Sequence, residues 1–158
     1  MKHTGDGIMA SFAAPSQAVE AAAAVQRAVR DHNLAMPEKA FHLRIGINAG
    51  EPILADDDMF GAAVQLAARI CAEAGPDGIL VANVVRELVA SKGFPMQRLP
   101  ARILRGFNEP HVLYSVEWAE VQPAGSAPQN EAKAPESAET PAAEAAETAP
   151  VEAPDPTP

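Results

Sequence analysis

The sequence predicts an α+β domain, a single sheet layered with helices, followed by an acidic segment that packs into nothing. Three observations lead there. From Phe41 to Asn48 apolar and polar residues alternate, the period of a strand with one buried face. From Val64 to Ile70 the apolar residues Val64, Leu66, Ala67 and Ile70 share the face of a helix, because side chains three and four apart are neighbours. Strand and helix signals then interleave along the chain, about five of one to three of the other, with short connections that suit one layered sheet.

The 158 residues are enough for one domain with its own core. The net charge of -9 is unevenly spread. Residues 120 to 158 carry eight acids against Lys133, which leaves residues 1 to 119 with 13 acids and 11 bases, close to neutral. No basic patch tracks a phosphate backbone, which argues against nucleic acid as a partner. The longest apolar stretches are Ala-rich and broken by charges, so no membrane span is expected. Met1 is followed by Lys2, His3 and a Gly-Asp-Gly turn instead of an apolar leader, and a cytoplasmic location is the expectation. Cys71 is the single cysteine; it cannot form an intrachain disulfide and is expected to be a buried thiol.

In chain order, Gly5-Asp6-Gly7 signals a hairpin turn with a first arm of only Met1 to Thr4, and Ile8, Ala10 and Phe12 alternate as its second strand. A first arm that short suggests that the chain begins in the middle of something. Ser16 is a plausible N-cap for a helix to about Asn33, with Val19, Ala22, Val25 and Val29 inward and Glu20, Gln26, Arg27 and Arg30 outward. The alternating strand follows, with His42 on its solvated face. Ala49 to Pro52 breaks it, and a short Ile53-Leu54 segment leads to an acidic turn and the second helix, to near Ala74. Gly75-Pro76-Asp77-Gly78 is a strong breaker, Ile79 to Val81 reads as a short buried strand, and Asn83 caps a helix to about Ser91. Strands at Arg102 to Leu104 and His111 to Trp118 complete the sheet, with Tyr114 and Trp118 packing the last one. From Glu120 onward eight of the chain's 15 prolines occur and no aromatic residue, so residues 120 to 158 are expected to be a disordered acidic tail.

The most informative stretch runs from Asp56 to Arg69. Gln65 and Arg69, four apart, project side by side on the helix, and Asp58 lies just before it. An acid, an amide and a guanidinium at a helix start suit a nucleotide. On these residues alone Asp58 serves equally as an N-cap, and the Gln65–Arg69 stripe equally as a solvated face.

Five stretches in order, KHTGDGIMASF, LRIGINAGEP, DMFGAAVQLAARI, GILVANVVRELV and ILRGFNEPHVLYSV, resemble the class III nucleotidyl cyclase catalytic domain, the adenylate and guanylate cyclase family. The resemblance covers residues 2 to about 118 and implies a ferredoxin-like (βαβ-type) sheet with helices packed on it. It also implies a reaction in which the 3'-hydroxyl of a nucleoside triphosphate attacks its own α-phosphate and expels pyrophosphate. In such phosphoryl transfers the protein positions groups and neutralises developing charge.

The resemblance assigns roles by position. Asp6, in a Lys-x-x-Gly-Asp turn, is the implied ligand of a two-metal site holding Mg²⁺ or Mn²⁺. Lys2 and Asp58 are the implied purine-selecting pair: a lysine donating to ring N1 and an aspartate accepting from the exocyclic amine favour adenine, so ATP is the implied substrate. Arg69 matches the arginine that stabilises the pentavalent phosphate, and Arg105 stands where a phosphate-contacting lysine is usual. Gln65 replaces the asparagine that orients the ribose, moving the amide by one methylene.

The family's domain opens with a strand bearing the first metal aspartate, then two helices, and the chain as written starts after them. The resemblance therefore implies an N-terminally truncated domain with an incomplete metal site and a gap in its core, inactive alone. Family sites form between two subunits, so the implied partner is a second copy in a homodimer or a complete cyclase subunit. An adenylate cyclase-type domain, a non-catalytic partner or relic of one, and an unrelated nucleotide-binding or protein-binding module are the three readings to separate.

Overall fold

The computed structural model describes residues 2–4, 7–51, 53–55 and 58–121, with the backbone alone at 2–4, 53–55 and 58–60. The expected tail from residue 122 onward, Asp6 and the first residues of the acidic turn lie outside the described residues.

The chain opens on two antiparallel strands, β1 (Lys2–Thr4) and β2 (Gly7–Met9), with Lys2 opposite Met9 and Thr4 opposite Gly7. This is the expected hairpin pairing, but the second strand ends at Met9 instead of reaching Phe12, and Ile8 and Phe12 are exposed. α1 (Pro15–Ala35) follows; its N-cap is Ala14 with no side-chain cap, so Ser16 lies inside the first turn. Pro at the first helical position supplies the helical φ and lacks only an N–H that would have no partner there.

The buried stripe of α1 is Val19, Ala22, Ala23, Gln26 and Val29. Two expectations change here. Val25 is 44% exposed, whereas Gln26, expected outside, is 1% exposed. Gln26 Nε2 donates to the carbonyls of Leu43 (3.2 Å) and Gly78 (3.4 Å), two loop segments that lead into the sheet. Both carbonyls also accept backbone N–H groups, from Asp77 and Ile45, so Gln26 is a second donor to each and ties α1 to the two loops.

β3 (Ile45–Ile47) is shorter than the alternation from Phe41 suggested. Residues 41–43 make their backbone hydrogen bonds elsewhere. Asn33 donates Nδ2 to the Phe41 carbonyl and accepts the Phe41 N–H, and Asp77 N–H donates to the Leu43 carbonyl. Phe41 is consequently 45% exposed. β4 (Ile53–Ala55) and β5 (Asp58–Phe60) then pair antiparallel, and α2 (Ala62–Glu73) returns the chain to the sheet at β6 (Ile79–Ala82). β3 and β6 are parallel, which makes β3–α2–β6 a βαβ unit.

All four residues of β6 are buried, so both faces of the sheet are covered at its centre. α3 (Asn83–Leu88) follows directly; its N-cap is Ala82, and Asn83 instead donates from Nδ2 to Glu87 Oε1. A short 3₁₀ turn, Ala90–Lys92, ends at Gly93 in left-handed backbone. β7 (Met96–Arg98), not foreseen in the sequence, forms an edge of the sheet. β8 (Arg102–Ile103) pairs with β9 (Pro110–His111), and β10 (Leu113–Val116) runs antiparallel between β6 and β7. The expected strand from His111 to Trp118 is thus two strands separated at Val112.

The four-stranded sheet has the order β3-β6-β10-β7, with three further strand pairs among the described residues. Its core joins Val19 and Ala23 of α1, Ile70 of α2, Val85 of α3, Ile79 and Val81 of β6, and Leu104 and Leu113. Trp118 packs against it and donates Nε1 to the Asp77 carbonyl at 2.8 Å, and Val121 is buried at its end. Among the described residues no helix is long and apolar enough to cross a membrane.

Candidate functional site

α2 is the element on which the candidate site is built, and its seat is unusually close. A Cβ placed on Gly46 of β3 would lie 2.2 Å from Cys71 N and 2.6 Å from the Ala67 carbonyl oxygen. Helix backbone therefore rests on strand backbone, which only glycine permits. Beyond the strand, Asn48 Nδ2 donates to the Ala63 carbonyl at 3.1 Å, and a Cβ on Gly50 would meet the Ala63 side chain at 3.0 Å. Gly46, Asn48 and Gly50 thus hold α2 from its first turn to its last. The helix starts after Gly61, whose φ of 111° is a conformation that side chains rarely adopt.

With the helix seated by Ile70, fully buried, Gln65 and Arg69 fall on its exposed side, one turn apart, as their spacing required. Asp58 belongs to β5, opposite Ala55, rather than to the first turn of α2, and the N-cap is Gly61. Lys2 is on β1. Asp6 lies outside the described residues.

Arg105 is exposed in the turn between β8 and β9, where Gly106 takes φ 87°. The turn is anchored on its inner side by Leu104, fully buried, whose carbonyl accepts the Phe107 N–H at 3.0 Å. Two features connect this hairpin to α2. Arg102 Nη1 of β8 bonds Glu73 Oε2 of α2 at 2.9 Å. A groove of about 430 Å³ is lined by Leu66 of α2 and His111 of β9, together with Asn48, Asn83, Arg98 and Tyr114.

A guanidinium, an imidazole and two amides around an apolar floor suit an anionic ligand with hydrogen-bonding edges. Glu73 was open to the sequence as the next residue of the Gln65–Arg69 series. Arg98, His111 and the Arg102 pairing depend on strand register, which the sequence did not reveal.

Cys71, on the inner side of α2, is only half-buried instead of fully so; it donates from Sγ to the Arg44 carbonyl at 3.2 Å. Burial pushes its thiol above the ordinary value, opposed by a hydrogen bond from the Gly46 backbone and the charge of Arg44. Among the described residues no group of three or more His, Cys, Asp or Glu side chains converges as a metal site would.

No family model matches the chain. Over 89 residues, 56% of the chain, it is 43% identical to a protein of Rhizobium meliloti (strain 1021) named "Putative adenylate cyclase 3", of whose length it spans 15%. Its structure is similar to that of the adenylate/guanylate cyclase/hydrolase from Silicibacter pomeroyi, with a TM-score of 0.68 and 31% identity, over 73% of this chain and 68% of that one. The adenylyl cyclase CyaB from P. aeruginosa shares the fold at a TM-score of 0.56 and 21% identity, over 73% and 69% of the two chains.

Proposed function

The chain belongs to the class III nucleotidyl cyclase family, and on that premise we propose that it is an adenylate cyclase-type domain that acts in the conversion of ATP to cyclic AMP and pyrophosphate. The observation that carries this reading is the seat of α2. A helix pressed onto Gly46 holds Gln65 and Arg69 on its exposed side, one turn apart, and Leu66 of the same helix lines a groove of about 430 Å³.

In this reading Lys2 and Asp58 select adenine. Gln65 orients the ribose so that its 3'-oxygen faces the α-phosphate. Arg69 and Arg105 neutralise the charge that builds on the phosphate oxygens as the pyrophosphate leaves. Divalent cations, Mg²⁺ or Mn²⁺, supply charge neutralisation in the family. In this reading the chain contributes the purine and transition-state groups, and a complete cyclase subunit contributes the metal groups across a shared interface. In cells this would place the chain in cyclic-nucleotide signalling as one half of a two-subunit enzyme.

The test mixes the purified chain with a complete cyclase subunit whose own purine-selecting and arginine positions have been replaced. Neither component alone is expected to form cyclic AMP from ATP, and the mixture is. Replacing Arg69 with Ala in this chain should lower that turnover by about 10². The reading is lost if no ratio of the two yields cyclic AMP while the unaltered complete subunit is active in the same assay.

A further inference from the structure

The stripe that carries Gln65 and Arg69 does not stop at Arg69. Four residues on lies Glu73, and residues four apart on a helix are neighbours. An aspartate or glutamate there is the natural ion-pair partner of the arginine before it. In the structure the Glu73 carboxylate is instead engaged by Arg102, 2.9 Å away on β8, three residues ahead of Arg105. Resting on the reading of Arg69 and Arg105 as phosphate-contacting groups, we infer that the Glu73–Arg102 pair is a positioning device. It ties the hairpin of Arg105 to the helix of Arg69, and it keeps Glu73 from neutralising Arg69.

The two side chains are 37% and 39% exposed, so the pair adds little to stability. What it fixes is geometry. Arg102 is at the base of the hairpin, in register with His111, and Leu104 plugs the strand into the core one residue before Arg105. The segment that ends at Arg105 is therefore held at two points, by the Glu73 pair at Arg102 and by the core at Leu104. His111 of the same hairpin and Leu66 of α2 line the same groove. The hairpin thus meets α2 beyond Arg69, at Glu73, and shares a groove with it at Leu66.

The two roles make the pair asymmetric, which an ordinary surface ion pair is not. Glu73→Gln removes the tie alone. Arg102→Gln removes the tie and also frees a carboxylate beside Arg69. In the mixed-subunit assay Glu73→Gln should lower kcat about threefold, and Arg102→Gln should lower it about tenfold or more, each with KM for ATP changed less than about twofold. The double variant should return to the level of Glu73→Gln. Hydrogen exchange of the amides in residues 102–111 should quicken in all three, while the melting temperature stays within about 2 °C of the unaltered chain. Equal effects of the two single variants, or a double variant no better than Arg102→Gln, would overturn the guarding of Arg69; unchanged exchange in the hairpin would overturn the tie. If the unaltered chain restores no turnover, the cyclase reading fails by itself, and hairpin exchange still decides the tie.

Discussion

α1 and α2 both cover the sheet, but they are fastened to it by different chemistry. α1 is 21 residues long and is held by side chains: a buried stripe of small apolar residues, Gln26 reaching two loop carbonyls, and Arg27 donating to the carbonyls of Trp118 and Val121. α2 is 12 residues long, with Ile70 its one fully buried side chain, and is held by backbone lying on backbone at Gly46. Long polar side chains can follow a helix that shifts by a few tenths of an ångström. Two backbones in contact cannot. The helix with the fewer buried side chains is thus the one whose register is fixed most tightly, and it is the one that carries Gln65 and Arg69. Rigid seating beneath an exposed polar stripe is what a site needs when small misplacements are expensive.

The sharpest way to break this contrast is at Gly46. In Gly46→Ala the added methyl would sit 2.2 Å from Cys71 N and 2.6 Å from the Ala67 carbonyl, and both neighbours are backbone, so α2 has to lift. We expect a loss of about 3 kcal/mol in urea-induced unfolding, at the upper end for overpacking. Turnover in the mixed-subunit assay should fall by more than the unfolded fraction accounts for. A variant with unchanged stability would mean that α2 is not seated by that contact.

The corresponding change in α1 should cost less and leave the site alone. Gln26→Leu keeps the buried volume and removes the Oε1 atom that has no partner, but it takes the second donor from the Leu43 and Gly78 carbonyls, which keep the N–H groups of Asp77 and Ile45. The net expectation is a loss of about 1–2 kcal/mol. Specific turnover per folded molecule should not change. If kcat fell along with stability, α1 would be positioning the site as well, and the division between the two helices would not hold.

The same contrast explains what could be read in advance. The alternation around Ile45 and the spacing of Val64, Leu66, Ala67 and Ile70 pointed to β3, α2 and the outward direction of Gln65 and Arg69, because burial repeats with the period of the backbone. Gln26 was misplaced because periodicity sorts residues by hydropathy, whereas this amide is buried in hydrogen bonds to two carbonyls distant in sequence. Phe41 continued the alternation, yet Asn33 takes both its backbone hydrogen bonds, so no strand forms there. β7 has three residues between Pro95 and Pro100, too few for any pattern. The five stretches that resemble the cyclase family assigned the candidate site residues by order along the chain. The contact at Gly46 and the Glu73–Arg102 pair depend on distances between elements, which no local pattern contains.

Cys71 offers a graded measure of the same seam, since its backbone is what Gly46 touches. Burial raises its thiol pKa in the fold, so the native state favours the neutral thiol. The sign follows directly. This contribution to stability is complete below the unfolded-state value, about 8.5, and fades as pH rises through the higher native value. Unfolding free energy of the unaltered chain should therefore decline above about pH 8.5, and Cys71→Ser should remove that part of the decline. Alkylation by iodoacetamide at pH 8.5 should be slower in the folded chain than in urea, since only the thiolate reacts and burial disfavours it. In Gly46→Ala, with α2 lifted and the thiol better hydrated, the folded rate should approach the unfolded one while Gln26→Leu leaves it slow. Equal protection of Cys71 in both variants would show that the seam at Gly46 is no tighter than the clamp of α1.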